Sequence, residues 1–302
     1  MPTRARYDGY AEWYDSWNQP NVERNTAWIQ DLLGPGEGLC LDLGCGSGHY
    51  FDALAGTGRT VVGLDFSADQ LRHARTRSRR ILQGDGAALP FADGTFATVA
   101  TRWTSTDVDD FAAVLAEGAR VLAPGGLLVF CGVHPCFNGP HVEWLDDGGM
   151  RVHTTYRQAG WHAEAPYWGE NVRKRVGMRH NPLADLINGF IRSGLAIEYA
   201  AELGDRAVPN MLAIRARKPG APARPDGGGP GGSAGQVPGA AQGQGHDGQH
   251  GVEPAVGDVD RAVHDPQVVV PVHPSPPVGH RGRRVVAHPA GPGLVLARGK
   301  VK

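Results

Sequence analysis

The sequence predicts an α/β fold: a doubly wound, mainly parallel seven-stranded sheet closed by a C-terminal antiparallel hairpin strand. Three observations predict it. Strand-like and helix-like segments alternate through residues 1–218, the pattern of a parallel sheet with helices on both faces. The stretch "LDLGCGSGHYFDALA" sets an apolar run directly against three glycines and then a helix-like segment. The last two strand-like segments are separated by only a turn, which forces them to pair antiparallel.

The elements follow in order. A helix is expected over 22–33, then a strand over 38–43 on the apolar run before the glycines, and a helix over 48–55 after them. Next come a strand over 60–64, a helix over 68–77, and strands over 80–83 and 96–101. A long helix over 109–121 leads to a strand over 127–133. A helix over 182–193 precedes the closing strands 196–202 and 211–217. From residue 219 the composition changes: residues 219–302 hold no aromatic residue and 13 of the 23 prolines. Such a segment cannot offset the entropy of ordering itself, so 219–302 is expected to be a disordered tail. Its histidines are scattered without the spacing of a metal site.

Composition excludes several classes. A formal net charge of -1 makes the whole chain a poor electrostatic partner for nucleic acid. No apolar run approaches the roughly 18 residues that span a bilayer, so no membrane partner is expected. The opening "MPTRARYDGYAEWYDSW" lacks the apolar core of a secretory signal, which points to the cytoplasm. Cys40, Cys45, Cys131 and Cys136 show no metal-ligand spacing and are expected to be free thiols, with no bound metal.

In sheets of this kind ligands bind outside the carboxyl ends of the strands, where the first strand turns into the first helix. Gly44, Gly46 and Gly48 occupy that turn. Gly44 permits a tight exit from the strand, Gly46 lets a ligand approach the backbone, and Gly48 lets helix and strand pack closely. The helix start offers unpaired N–H groups that suit an anion. A dinucleotide fingerprint wants glycine at position 49, where this chain has His49, and a phosphate-cradling loop wants a lysine that is absent nearby.

Gly-x-Gly-x-Gly preceded by the acidic Asp42 resembles the first signature of the class I S-adenosylmethionine-dependent methyltransferases, whose fold is Rossmann-like. Further matches stand in the same order. "VVGLDFSADQL" ends a second strand in Asp65, and "GDGAALPFADGTFATV" and "AEGARVLAPGGLLVF" resemble the next signatures. The resemblance covers residues 7–218 and implies S-adenosyl-L-methionine as cofactor. It implies that Asp42, Gly44, Cys45, Gly46 and Gly48 shape the turn and that Asp65 accepts from both ribose hydroxyls. Phe66 would cover the adenine and Asp85 would accept from its amino group. Gly86 would leave room for the ring, and Thr101 would end the fourth strand beside the cofactor. Tyr14, in the aromatic opening segment, would close over it. "RHNPLADLINGFIRSGL" resembles the segment entering the last helix of the small-molecule members related to ubiquinone and menaquinone biosynthesis, where His180 would face the acceptor pocket.

Methyl transfer asks the protein mainly for alignment and exclusion of water, and for a base only if the acceptor must lose a proton. "TRWTSTDVDD" replaces the Asn/Asp-Pro-Pro-Tyr run that amino-group methylating enzymes carry after the fourth strand, which speaks against DNA-base acceptors. The basic run "RHARTRSRR" lacks interleaved aromatics and reads as a solvated helix face. The long connection at about 134–181 reads as a lid over a small organic acceptor, with Trp144, Tyr156 and Trp168 as contacts. Trp103 and Thr104 are acceptor-wall candidates by position. His180 and His134 are the expected bases, and that expectation favours an oxygen acceptor. Arg173, Lys174, Arg175 and Arg179 are either anion-binding or solvated. The alternatives are an NAD-type oxidoreductase and a non-catalytic protein that binds S-adenosylmethionine.

Overall fold

The computed structural model describes residues 5–220, so the expected tail lies, past Gly220, outside the described residues. Helix α1 (Ala11–Leu33) begins well before the expected residue 22 and contains Pro20. Proline's fixed φ suits a helix, so Pro20 costs backbone bonding without ending the run. The aromatic half before it stacks on itself, with Trp13–Trp17 and Tyr14–Trp17 ring centroids both 5.8 Å apart. Gly34, at φ 62°, ends the helix.

The alternating part follows: β1 (Leu39–Leu43), α2 (Phe51–Ala55), β2 (Thr60–Asp65), α3 (Ala68–Arg77), β3 (Ile81–Gln83) and β4 (Phe96–Arg102). Ser67 caps α3 by accepting from the Gln70 amide, and Asp110 caps α4 (Phe111–Val121) by accepting from Ala113. β5 (Leu122–Val133) is longer than expected, because Pro124, Gly125 and Gly126 bend inside it rather than precede it. The register against β4 shifts between Phe96 and Thr98 at that bend.

The connection after β5 is built of small pieces: β6 (Val142–Trp144) pairs with β7 (Met150–Val152), and β8 (Gly160–His162) pairs with β9 (Met178–His180), with α5 (Val172–Val176) between. Helix α6 (Leu183–Arg192) returns to β10 (Ala196–Leu203) and β11 (Met211–Arg217).

The main sheet has the order β10-β11-β5-β4-β1-β2-β3. β1 lies parallel to β2 and β4, whereas β11 is antiparallel to both β5 and β10. This is the predicted seven-stranded, mainly parallel Rossmann-like sheet with its closing hairpin.

Side chains alternate across the sheet with a period of two and feed two apolar layers. Leu128 and Phe130 join Leu41, Leu43, Val114, Leu115 and Phe190 on one face. Leu127, Val129 and Cys131 join Ile29, Leu32, Phe51 and Leu71 on the other. All four cysteines are free thiols, as the sequence led us to expect, and Cys40, Cys45 and Cys131 are buried. Among the described residues no helix is long and apolar enough to cross a membrane.

Candidate active site

A cleft of about 270 Å³ opens at the carboxyl ends of β1, β2 and β4. Gly44, Gly46 and Gly48 turn the chain there, all at positive φ (76°, 55° and 80°). The amides of Gly44 and Cys45 both donate to the Leu64 carbonyl (2.8 and 3.0 Å), which pins the turn to β2. A side chain at Gly44 is excluded on two counts: its φ, and a Cβ position 2.5 Å from Thr104 Oγ1.

Asp65 ends β2 on the wall of the cleft. Its two oxygens accept from the Gly46 and Ser67 amides, each at 2.8 Å. Burial pushes this carboxyl up to about 6, against the pull of those two amides and with a further push from Asp42 and Asp107. Each oxygen keeps acceptor capacity, which fits a vicinal diol of a ribose. Asp85 also lines the cleft, and one of its oxygens caps its own turn by accepting from Ala87 (2.9 Å). Phe66 is exposed at the rim, and Tyr14 closes the cleft from α1 with its ring edge-on to Tyr7 (4.8 Å).

Several expected positions lie beneath the cleft rather than in it. Asp42 is fully buried, and both its oxygens accept from Arg102 Nη2 (2.7 and 2.8 Å). Gly48 makes room for Phe51, whose ring atom would lie 2.5 Å from a Cβ there. Gly86, by contrast, lines the cleft, where a Cβ would meet Leu43 at 3.3 Å and Val114 at 3.6 Å, two side chains that line the same cleft. Thr101 is buried and does not line the cleft.

On the acceptor side, Trp103 and Thr104 line the cleft. Trp103 holds φ 61°, the one non-glycine residue at positive φ among those described, and its amide donates to Cys131 O (2.9 Å). The other expected acceptor residues do not reach the cleft, which corrects the sequence reading. His134 pairs through Nε2 with Glu202 (2.9 Å) and stacks on Phe137. His180 is buried with Nε2 2.7 Å from the Tyr156 carbonyl. Burial lowers the pKa of both histidines. The Tyr156 hydroxyl accepts from the Leu183 amide (3.0 Å), Trp144 lies under Arg206, and Trp168 lies outside the lining. The physical reason is local: β6–β9 give the connection its own small packed cluster, in which the rings of His141, Tyr156 and His180 pack against one another.

Other residues complete the cleft or brace its wall. Arg6 and Tyr7 cross its mouth, where the Tyr7 hydroxyl donates to Asp107 (3.2 Å) and Arg6 donates to the Asp107 carbonyl. Arg173, from the run read as either anion-binding or solvated, is partly buried, pairs with Asp107 on the cleft wall and donates to Thr106 (2.8 Å). His49 lines the cleft with Nε2 2.8 Å from Asp15 of α1, and burial lowers its pKa. Arg77, from the basic run on α3, bonds Asp15 and the Ser47 carbonyl (3.0 and 2.7 Å). The readable signals were a cation ending an apolar strand at Arg102 and a histidine directly after the third glycine.

Side chains in the cleft with buried polar atoms that find no protein partner include Gln70, at both amide atoms, and Arg102, at Nε and Nη1. Together with the free acceptor capacity of Asp65, these groups fit a polar nucleoside carrying a charged head. Fold and cleft resemble the architecture of the class I S-adenosylmethionine-dependent methyltransferases.

Residues 41–130 match the family model described as a methyltransferase domain. A demethylmenaquinone methyltransferase of Corynebacterium kroppenstedtii is 40% identical over 115 residues, covering 37% of this chain and 50% of that protein. One from Mycobacterium marinum is 37% identical over 133 residues, covering 42% and 57%. The matched part thus spans about half the length of these curated relatives. The crystal structure of an S-adenosylmethionine-dependent methyltransferase from Mesorhizobium loti is 25% identical, with a TM-score of 0.53 over 70% of this chain and 99% of that one.

Proposed function

We propose that residues 1–218 form an S-adenosylmethionine-dependent methyltransferase acting on a small organic acceptor of the demethylmenaquinone class. The observation that carries the reading is Asp65: a carboxylate on the cleft wall, oriented by the Gly46 and Ser67 amides, directly beside the glycine turn. The acceptor class comes from the names of the relatives and from the aromatic wall of Tyr7, Tyr14 and Trp103.

When bound, the cofactor's sulfonium supplies an electrophilic methyl carbon. The chain's own residues do the rest. Asp65 holds the ribose hydroxyls, and Asp85 offers an acceptor to the adenine amino group. Tyr14 and Tyr7 cover the mouth and exclude water, which strengthens every polar contact beneath them. Trp103 and Thr104 set the plane in which the acceptor approaches.

The case for an oxygen acceptor rested on His134 and His180, and neither lines the cleft. Acceptor oxygen and acceptor carbon therefore stand level. His49, neutral near pH 7 and braced by Asp15, is the histidine available on the cleft wall.

Incubation with methyl-labelled S-adenosylmethionine and reduced demethylmenaquinone tests the reading. A labelled quinone product supports it, and its carbon or oxygen attachment identifies the acceptor atom. Cofactor binding without transfer to this or any extract component would favour the non-catalytic alternative, and tight binding of NAD instead would favour the oxidoreductase.

A further inference from the structure

We propose that Arg102 is a built oxyanion site in the floor of the cleft, which takes the oxygen of a carboxylate or of an ionised hydroxyl. The proposal rests on the cofactor reading above and deepens it.

Arg102 ends β4, whose other residues are apolar or small and neutral, and its side chain is 4% exposed while lining the cleft. Nη2 alone makes the ion pair, donating to both oxygens of Asp42. Nε and Nη1 are buried and have no protein partner. The guanidinium is held rigidly: its carbon lies 4.5 Å over the Tyr50 ring, and the Tyr50 hydroxyl accepts from Asn25 (3.2 Å). A buried pair serving only to join β1 to β4 gains nothing by leaving donors unsatisfied, because each is costly to strand. Beneath a ligand cleft, such donors are fixed for a partner that arrives later. A guanidinium also keeps its charge when buried, which suits it to an oxyanion.

The sheet order says which end of the ligand meets it. β3, β2, β1 and β4 are consecutive neighbours. Asp85 follows β3, Asp65 ends β2, the glycines follow β1, and Arg102 ends β4. A nucleoside with its base at Asp85 and its ribose at Asp65 therefore runs toward Arg102 with its amino-acid head and reacting carbon. Two oxyanions lie at that end: the cofactor's α-carboxylate and an ionised acceptor hydroxyl.

The test uses two variants of the full chain, Arg102→Lys and the charge-balanced pair Asp42→Asn with Arg102→Gln, so that at least one keeps a neutral floor and a folded protein. Calorimetry measures binding of S-adenosylmethionine, its decarboxylated analogue, 5′-methylthioadenosine, and 1,4-dihydroxynaphthalene under reducing conditions. If the carboxylate is the partner, the wild type prefers the carboxylated cofactor by about tenfold or more. The variants then erase that preference while binding methylthioadenosine as before. If the acceptor is the partner, the cofactor preference persists in the variants and the naphthalenediol loses about tenfold or more in affinity.

Folded variants that bind all four ligands like the wild type would overturn the proposal. So would variants that lose methylthioadenosine equally, since that marks a purely structural pair. A wild type that binds neither S-adenosylmethionine nor methylthioadenosine would bring down the cofactor reading itself, and this inference with it.

Discussion

At the scale of single residues, Asp65 decides how a nucleoside sits in the cleft. Its carboxyl titrates at about 6 because burial raises it more than the two amides lower it. Ribose hydroxyls donate to the ionised form, so cofactor affinity should be flat above pH 7 and fall as pH drops below 6, by about tenfold per unit at the limit. Asp65→Asn should flatten that profile; a profile that keeps its slope would assign the titration to another group. Asp65→Ala removes two hydrogen bonds to a charged group, each worth about 1.5–3 kcal/mol, and should weaken binding by about a hundredfold or more. Calorimetry reads both. Asp65 was legible because its place after the glycine turn fits one chemistry. Arg102 was legible only as a cation ending an apolar strand, because nothing in "ATRWT" says that its partner is Asp42, sixty residues earlier. His134 and His180 misled for the converse reason: residue type marked them as bases, while their burial against Glu202 and Tyr156 exists only in three dimensions.

At the scale of elements, the glycine turn joins fold to function. Gly44 and Gly125 share nearly the same positive φ, but a Cβ at Gly125 meets nothing within 4 Å and one at Gly44 meets Thr104. Gly125→Ala should therefore cost only the backbone strain, about 1–2 kcal/mol. Gly44→Ala should cost measurably more and impair cofactor binding as well. Denaturant titration of the two variants checks the ordering, and equal costs would mean that Thr104 yields freely. In the core between sheet and helices, Leu128→Ala should cost about 2–5 kcal/mol, because Leu128 is fully buried between β4 and α4. Most elements were legible from period and turn chemistry. Two were misjudged where proline stands inside an element: α1 runs through Pro20, and β5 runs through Pro124 and the glycines after it. In both, tertiary packing outweighs a local preference to break.

At the scale of the whole molecule, the parallel strands deliver Asp42, Asp65, Arg102 and the glycines to one end of the sheet, and α1 folds its aromatic half across them. The connection of residues 134–181 adds Arg173 to the rim through Asp107, while its histidines and Tyr156 stay in their own cluster. Truncation after Lys218 should leave the melting temperature and cofactor affinity unchanged, and a loss of either would give the remaining residues a role. A crystal structure with S-adenosylhomocysteine would place the nucleoside directly. Both ribose hydroxyls should lie within hydrogen-bond distance of Asp65, with the adenine beside Asp85 and the amino-acid head over the glycine turn. A nucleoside bound elsewhere on the molecule, or a ribose turned away from Asp65, would contradict that placement.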